Sequence, residues 1–352
     1  MNKQGQALTD RQAERIDWID TAKGIAILLV ILGHTVGNGT MIEKAIRGAI
    51  FSFHMPLFFT LSCVTFKLSA NNDEFVRKTE KAFRHLIIPA VVLYGLRTIL
   101  DVTNRYGSIE WKSYFIERIY IFVFGSGVKV NVMGAVVPAI GILWFLIVLF
   151  LGRSLFDYLH LKLNSKQFGA ATVICALAGV TLGKLQRLPL SFDIALAVMP
   201  FFYVGVLLKT VDMEKRAIQY GCISFVVWAS TLLLCYAVKN TYMELASRRY
   251  PLFPICYVTA FAGTMFIGYF CTAAGKLKIM KPLTYLGRNS MYMLWVHIMD
   301  YTVRSIWNRT NNNFVDAIIR IAVDLALFAI LMYFLTLVKK MGKKDKGAEQ
   351  LS

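Results

Sequence analysis

Ten apolar stretches recur along a chain of 352 residues, and each is near the length a helix needs to cross a lipid bilayer. A hydrocarbon core of about 30 Å takes roughly 20 residues at about 1.5 Å each. The stretches fall at about 20–38, 47–68, 83–103, 134–152, 168–184, 191–208, 218–238, 253–273, 282–302 and 315–337. Only 17% of residues are charged and 57% are hydrophobic, with a mean hydropathy of +0.54. A soluble domain is nearer 25% charged, so a soluble enzyme, a disordered chain and a collagen are excluded together. The expected fold is an all-α polytopic membrane protein, a bundle of about ten transmembrane helices. No segment between the stretches is long enough for a separate soluble catalytic domain, so any chemistry belongs to the bundle. The first stretch does not read as a signal peptide, because Asp17 and Asp20 flank it and no small-residue cleavage site follows.

The net charge is +18, from 39 basic and 21 acidic residues. With the N-terminus inside, 22 basic residues fall in inner segments and 13 in outer ones. This bias predicts that both termini are cytoplasmic. The basic tail at 339–352, with Lys339, Lys340, Lys343, Lys344 and Lys346, is the strongest contributor. The charge thus suits topology and anionic lipid contact. Nucleic-acid binding is not expected, since no basic module interleaved with aromatic residues is present. The six cysteines lie in apolar stretches and form no C-x-x-C pair, so neither zinc nor a disulfide frame is indicated. The segment 104–133, rich in aromatic residues, reads either as interfacial or re-entrant structure or as a loop. No internal repeat is evident, and homo-oligomerisation is left open.

Ionisable groups within membrane spans are costly and suggest function. Lys23 and His34 are eleven positions apart, about 20° from a common face at ~100° per residue, and Asp20 lies in the same stripe. The rise between Lys23 and His34 is about 16 Å, which puts Lys23 near the inner side and His34 past the midplane. The second stretch carries Ser52-Phe53-His54-Met55-Pro56, where Pro56 is expected to break the helical ladder at the depth of His54. The ninth carries Arg288 and Asn289 at its inner side and His297 past the midplane. Three histidines at one level are therefore expected, without a pattern that supports a bound metal. Arg97 with Asp101, and Asp316 with Arg320 and Asp324, are spaced to neutralise each other on helix faces. Asp193 reads as lining an outer vestibule or facing loop water.

These residues carry a resemblance. Asp20-x-x-Lys23-Gly24, Gly33-His34 ten residues on, Ser52-Phe53-His54-Met55-Pro56-Leu57-Phe58-Phe59, Leu143-Trp144-Phe145-Leu146, Pro200-Phe201-Phe202-Tyr203-Val204-Gly205 and Leu286-Gly287-Arg288-Asn289-Ser290 with His297 resemble the acyltransferase-3 family. Within it they are most similar to the fucose 4-O-acetylase-like branch. The resemblance covers about 15–338. It divides the chain into a cytoplasmic segment 1–18, an acyltransferase-3-like membrane domain 19–338 and the tail 339–352. Many members have arginine where this chain has Lys23, which keeps the charge but not the bidentate fork.

The resemblance implies a multi-pass enzyme of the cell membrane. It would move an acyl group, usually acetyl from acetyl-CoA, onto a hydroxyl of a carbohydrate acceptor. An imidazole suits that chemistry, because an alcohol must lose its proton as it attacks the thioester. His34 is expected to be the general base, aided by Lys23, Asp20 and His54, with an acetyl-histidine as the main variant. Ser52, Trp144, His297 and Asn289 are expected on the acceptor side. Lys23, Arg84, Lys276, Lys278 and Arg288 are expected to hold the CoA phosphates. No metal is expected. A transporter of a small polar molecule or acylated glycan is the alternative.

Overall fold

The structure, a computed structural model, describes residues 3–37, 39–104, 110–132, 134–275 and 277–349. Side chains at 3–16, 103–104 and 342–349 are not described. In chain order the helices are α1 (Lys3–Thr35), α2 (Met41–Phe51), α3 (His54–Val64), α4 (Asn72–Ala82), α5 (Ile88–Asn104) and α6 (Trp111–Phe124). After the short strands β1 (Val130–Val132) and β2 (Ala135–Val137) come α7 (Trp144–Lys162), α8 (Ser165–Leu185), α9 (Phe192–Ala197) and α10 (Met199–Leu207). The chain continues through α11 (Ala217–Lys239), α12 (Ile255–Ala274), α13 (Lys281–Arg288), α14 (Ser290–Met299), α15 (Arg304–Trp307) and α16 (Asn313–Glu349). The protein is 80% helical. Strands β1 and β2 form one antiparallel hairpin.

Among the described residues, eight helices are long and apolar enough to cross a membrane. One further pair of helices, Pro189–Ala197 with Met199–Thr210, passes the same test together and is bent by 46°, as a broken span or a re-entrant loop would be. The stretch expected at 282–302 is two short helices, α13 and α14, broken at Asn289. The second expected span is also broken, though not where the sequence suggested. The break falls at Ser52-Phe53, and Pro56 sits in the first turn of α3, where its missing N–H has no intrahelical partner to lose. Within 104–133, α6 is a helix of 14 residues, about 21 Å long and too short to span the core. It exposes Phe115, Ile119 and Tyr120. Residues 105–109 and 133 lie outside the described residues.

The core is built from aromatic and aliphatic side chains, with Phe59, Phe156, Phe201 and Phe202 fully buried. α1 and α13 touch backbone to backbone. A Cβ on Gly24 would lie 2.0 Å from the Leu283 carbonyl oxygen, and one on Gly287 would lie 1.6 Å from that of Asp20. Membrane helices lack a hydrophobic drive to associate, so small residues that let backbones touch supply the contact. This pair of glycines fixes α13, and with it α14, against the polar face of α1.

Two expected pairings are different. Arg320 does not pair along its own helix. It makes a forked contact with Asp300 at 2.6 and 2.9 Å, while Asp316 caps the 309–310 turn, accepting from the Thr310 hydroxyl at 2.8 Å. Asp101 takes Arg118 at 3.8 Å and the Tyr301 hydroxyl, and Arg97 lies over the Tyr301 ring. Asp193 lines no vestibule. It is fully buried against Arg248 at 2.7 Å, and that guanidinium also donates to Ser126 and Ser191. One ion pair thereby ties the loops before β1, before α9 and after α11. Their mutual bonds, with those to Ser126 and Ser191, offset part of the cost of burying both charges.

Candidate active site

A cavity of about 490 Å³ runs beside α1. Lys23, Ile27, Val30 and His34 line it, four residues at helical spacing and hence one face of α1. The opposite wall is α3, with His54, Met55, Phe58 and Ser62, and Thr65 just past its end. Each wall covers twelve residues, about 16 Å of helix. Trp144, Phe145, Leu149 and Arg153 of α7 and Ser290, Met291 and Leu294 of α14 close the sides. The volume is in the range of small-molecule sites, and the lining mixes apolar surface with a few polar groups as such sites do.

The two ends differ chemically. At one end stand Lys23 and Arg153. Lys23 Nζ is 3.6 Å from an Asp20 oxygen. Arg153 lies over the Phe66 ring at 4.9 Å and has no carboxylate partner among the described residues. The nearby Asp157 carboxylate is taken up by the Ser69 N–H and hydroxyl. An unpaired guanidinium beside an ammonium is a site for an anion, and a guanidinium matches phosphate oxygens in pairs.

At the other end His34 is exposed to the cavity and makes no hydrogen bond among the described residues. Its ring centre is 5.6 Å from that of Phe51 and 6.0 Å from that of His297. His54 is buried, with Nδ1 3.0 Å from the Ile50 carbonyl oxygen. A carbonyl only accepts, so Nδ1 carries the proton and the neutral ring leaves Nε2 as a lone pair. That suits an incoming hydroxyl better than an oxyanion. Arg47 crosses above, donating to the Gly33 carbonyl at 2.8 Å, stacking on Phe51 at 4.4 Å and facing Glu244 at 3.9 Å.

Of the residues expected from sequence, Lys23, His34, His54 and Trp144 border the cavity. Asp20 stands behind Lys23. His297 is buried behind His34, outside the lining. Ser52 is removed from the cavity, since its hydroxyl donates to the Ala49 carbonyl and accepts from Trp228 at 3.0 Å. Asn289 lies at the α13–α14 break and donates to the Tyr285 carbonyl. Arg84 is exposed and paired with Glu80, and Lys278 is exposed. Arg288 is held by Asp17 at 2.5 Å and Asp20 at 3.3 Å. None of these three cations lines the cavity. Lys276 lies outside the described residues.

Sequence reasoning missed Glu244, and it counted Arg47 and Arg153 only among the basic residues that set topology. It also missed Asp300, although His297-x-x-Asp300 places both on one helical face. His297, Asp300 and Asp324 bring one potential ligand atom each within 4.8 Å of one another. The Arg320 guanidinium already sits on Asp300, so the protein supplies the cation that this cluster faces.

A family model described as an acyltransferase domain, Acyl_transf_3, matches residues 16–338. No curated protein and no solved structure matches the chain.

Proposed function

This chain belongs to the acyltransferase-3 family, and from that premise we propose that it is a membrane O-acetyltransferase of the fucose 4-O-acetylase-like branch. In this reading acetyl-CoA enters from the cytoplasm and a hydroxyl of a carbohydrate acceptor is esterified. The acceptor is a surface or exported polysaccharide, a lipid-linked sugar or wall glycan. The observation that carries the proposal is that Lys23 and His34 border one cavity from a single helix face. Both termini are cytoplasmic, the chain crosses the cell membrane about ten times, and α13–α14 makes one of the crossings.

Lys23 and Arg153 then hold CoA phosphate at the inner end. The pantetheine arm lies along Ile27 and Val30. At the outer end the thioester meets His34, which removes the acceptor proton as oxygen attacks. His54 Nε2 accepts from the sugar hydroxyl, and Trp144 gives its ring a stacking face. Arg84, Lys278 and Arg288 serve topology and helix contacts instead of the donor. The purified protein with labelled acetyl-CoA tests the reading, together with mass spectrometry of surface glycans from cells with and without the gene. Loss of one acyl group from a glycan without the protein supports it, and unchanged glycans contradict it.

Transport of a small polar molecule or an acylated glycan is the second reading. The breaks at Ser52-Phe53, between α9 and α10, and at Asn289 favour it, since transporters place broken helices around their binding sites. CoA-dependent ester formation in detergent, with no gradient present, separates the two.

A further inference from the structure

Behind His34 lies a buried charge cluster that the cavity does not touch. His297 Nδ1 is 3.0 Å from an Asp324 oxygen and 3.2 Å from an Asp300 oxygen. Both neighbours are carboxylates, which accept, so Nδ1 carries a proton. Nε2 has no partner among the described residues, and neither does the second Asp324 oxygen, although both are buried. Arg320 forks onto Asp300, stacks on Trp307 at 4.2 Å and reaches the Thr35 hydroxyl at 3.2 Å. Thr35 follows His34 directly, so the cluster holds the end of α1 through Arg320 and faces the His34 ring through His297.

Charge counting gives the cluster its chemistry. Two carboxylates, Asp300 and Asp324, face one guanidinium and one imidazole in a dry interior, and a nearby anion favours a cation beside it. The His34 and His297 ring centroids are 6.0 Å apart with the planes tilted by 39°, beyond the reach of a direct hydrogen bond. Catalytic hydrogen bonds often tighten when substrate binds.

We propose that His297 and Asp324 are positioning residues that accept, through His34, the charge of the proton leaving the acceptor hydroxyl. This rests on the reading of His34 as base. As the O–C bond forms, the acceptor O–H bond breaks and its proton goes to the cavity-facing nitrogen of His34. The proton on the second nitrogen moves toward Nε2 of His297, whose Nδ1–H remains on Asp324. When the C–S bond breaks, the proton returns by the same path to the CoA sulfur, so ester and thiol leave with no net proton change. The charged and titratable groups facing the pair are Arg47 on α2, His54 on α3, Glu244 after α11, Asp300 after α14, and Arg320 and Asp324 on α16.

The test uses the full chain in detergent, with two probes that need no knowledge of the sugar. One is thiol release from acetyl-CoA with water as acyl acceptor. The other is the rate at which diethylpyrocarbonate modifies His34, read by peptide mass spectrometry across pH. Asp324→Asn keeps shape and removes the charge. It is expected to lower turnover about tenfold with KM for acetyl-CoA unchanged. The midpoint of His34 modification is expected to move about one pH unit lower, because losing an anion disfavours the imidazolium. His297→Gln is expected to lose turnover likewise, and His297→Ala to lose more. His34→Ala must itself abolish thiol release. If it does, and Asp324→Asn keeps the wild-type midpoint and turnover, the relay is wrong and the base role stands. If His34→Ala retains thiol release, the base role fails and the relay with it.

Discussion

Lys23 and His34 border the same cavity from one face of α1, with Ile27 and Val30 between them. Arg153, which has no carboxylate partner among the described residues, borders the cavity with the cation, and a second imidazole, His54, borders it with His34. One helix therefore sets both the anion-binding end and the base-bearing end at a fixed separation of about 16 Å.

Cations on the cavity and cations off it should behave differently. Lys23→Ala and Arg153→Ala are expected to raise KM for acetyl-CoA at least tenfold, with Lys23→Arg close to wild type. Arg84→Ala, whose side chain is exposed and paired with Glu80, is expected to leave KM unchanged, as exposed ion pairs contribute little. Initial rates against acetyl-CoA concentration check this.

The contact of α1 with α13 depends on two missing side chains. Gly287→Ala places a carbon against the Asp20 carbonyl and Gly24→Ala one against Leu283, so the helices must separate. Each change is expected to cost about 1–3 kcal/mol, the range for overpacking. Thermal unfolding in detergent should show a lowered midpoint for both.

Gly127 sets the position of Trp144. A Cβ there would lie 2.4 Å from the indole Cδ1, so Gly127→Val pushes the ring across the cavity. The expected result is a raised KM for the glycan acceptor, with KM for acetyl-CoA little changed, measured by label incorporation at fixed donor.

The Asp193–Arg248 pair supports the loops around the cavity. Asp193→Ala strands a buried guanidinium and is expected to cost about 3–5 kcal/mol. Replacing both partners with apolar residues of similar volume is expected to recover most of that loss. Melting curves of the single and double variants decide it.

Much of α1 was legible because its information is local. The spacing of Lys23 and His34 specifies one helical face whatever packs against it, and a run of apolar residues specifies a span. What the sequence hid depends on contacts between distant elements. Arg320 sits four residues from both Asp316 and Asp324, yet its fork goes to Asp300 across a helix boundary. Ser52 has the right chemistry for a sugar, but its hydroxyl is taken by Trp228 from α11. Arg153 looked like one more topology charge, because only the fold reveals that Asp157 is taken by Ser69. Pro56 advertised a break, but the chain bends at Ser52-Phe53 and uses the proline to start the next helix. The span at 282–302 is interrupted at Asn289, which a hydropathy window averages away.

The most direct measurement is acetyl transfer by purified His34→Ala with labelled acetyl-CoA, in a preparation whose melting curve matches wild type. The account predicts that labelled ester on the glycan falls at least a hundredfold while binding of acetyl-CoA persists through Lys23 and Arg153. Transfer at a rate near that of wild type would contradict it.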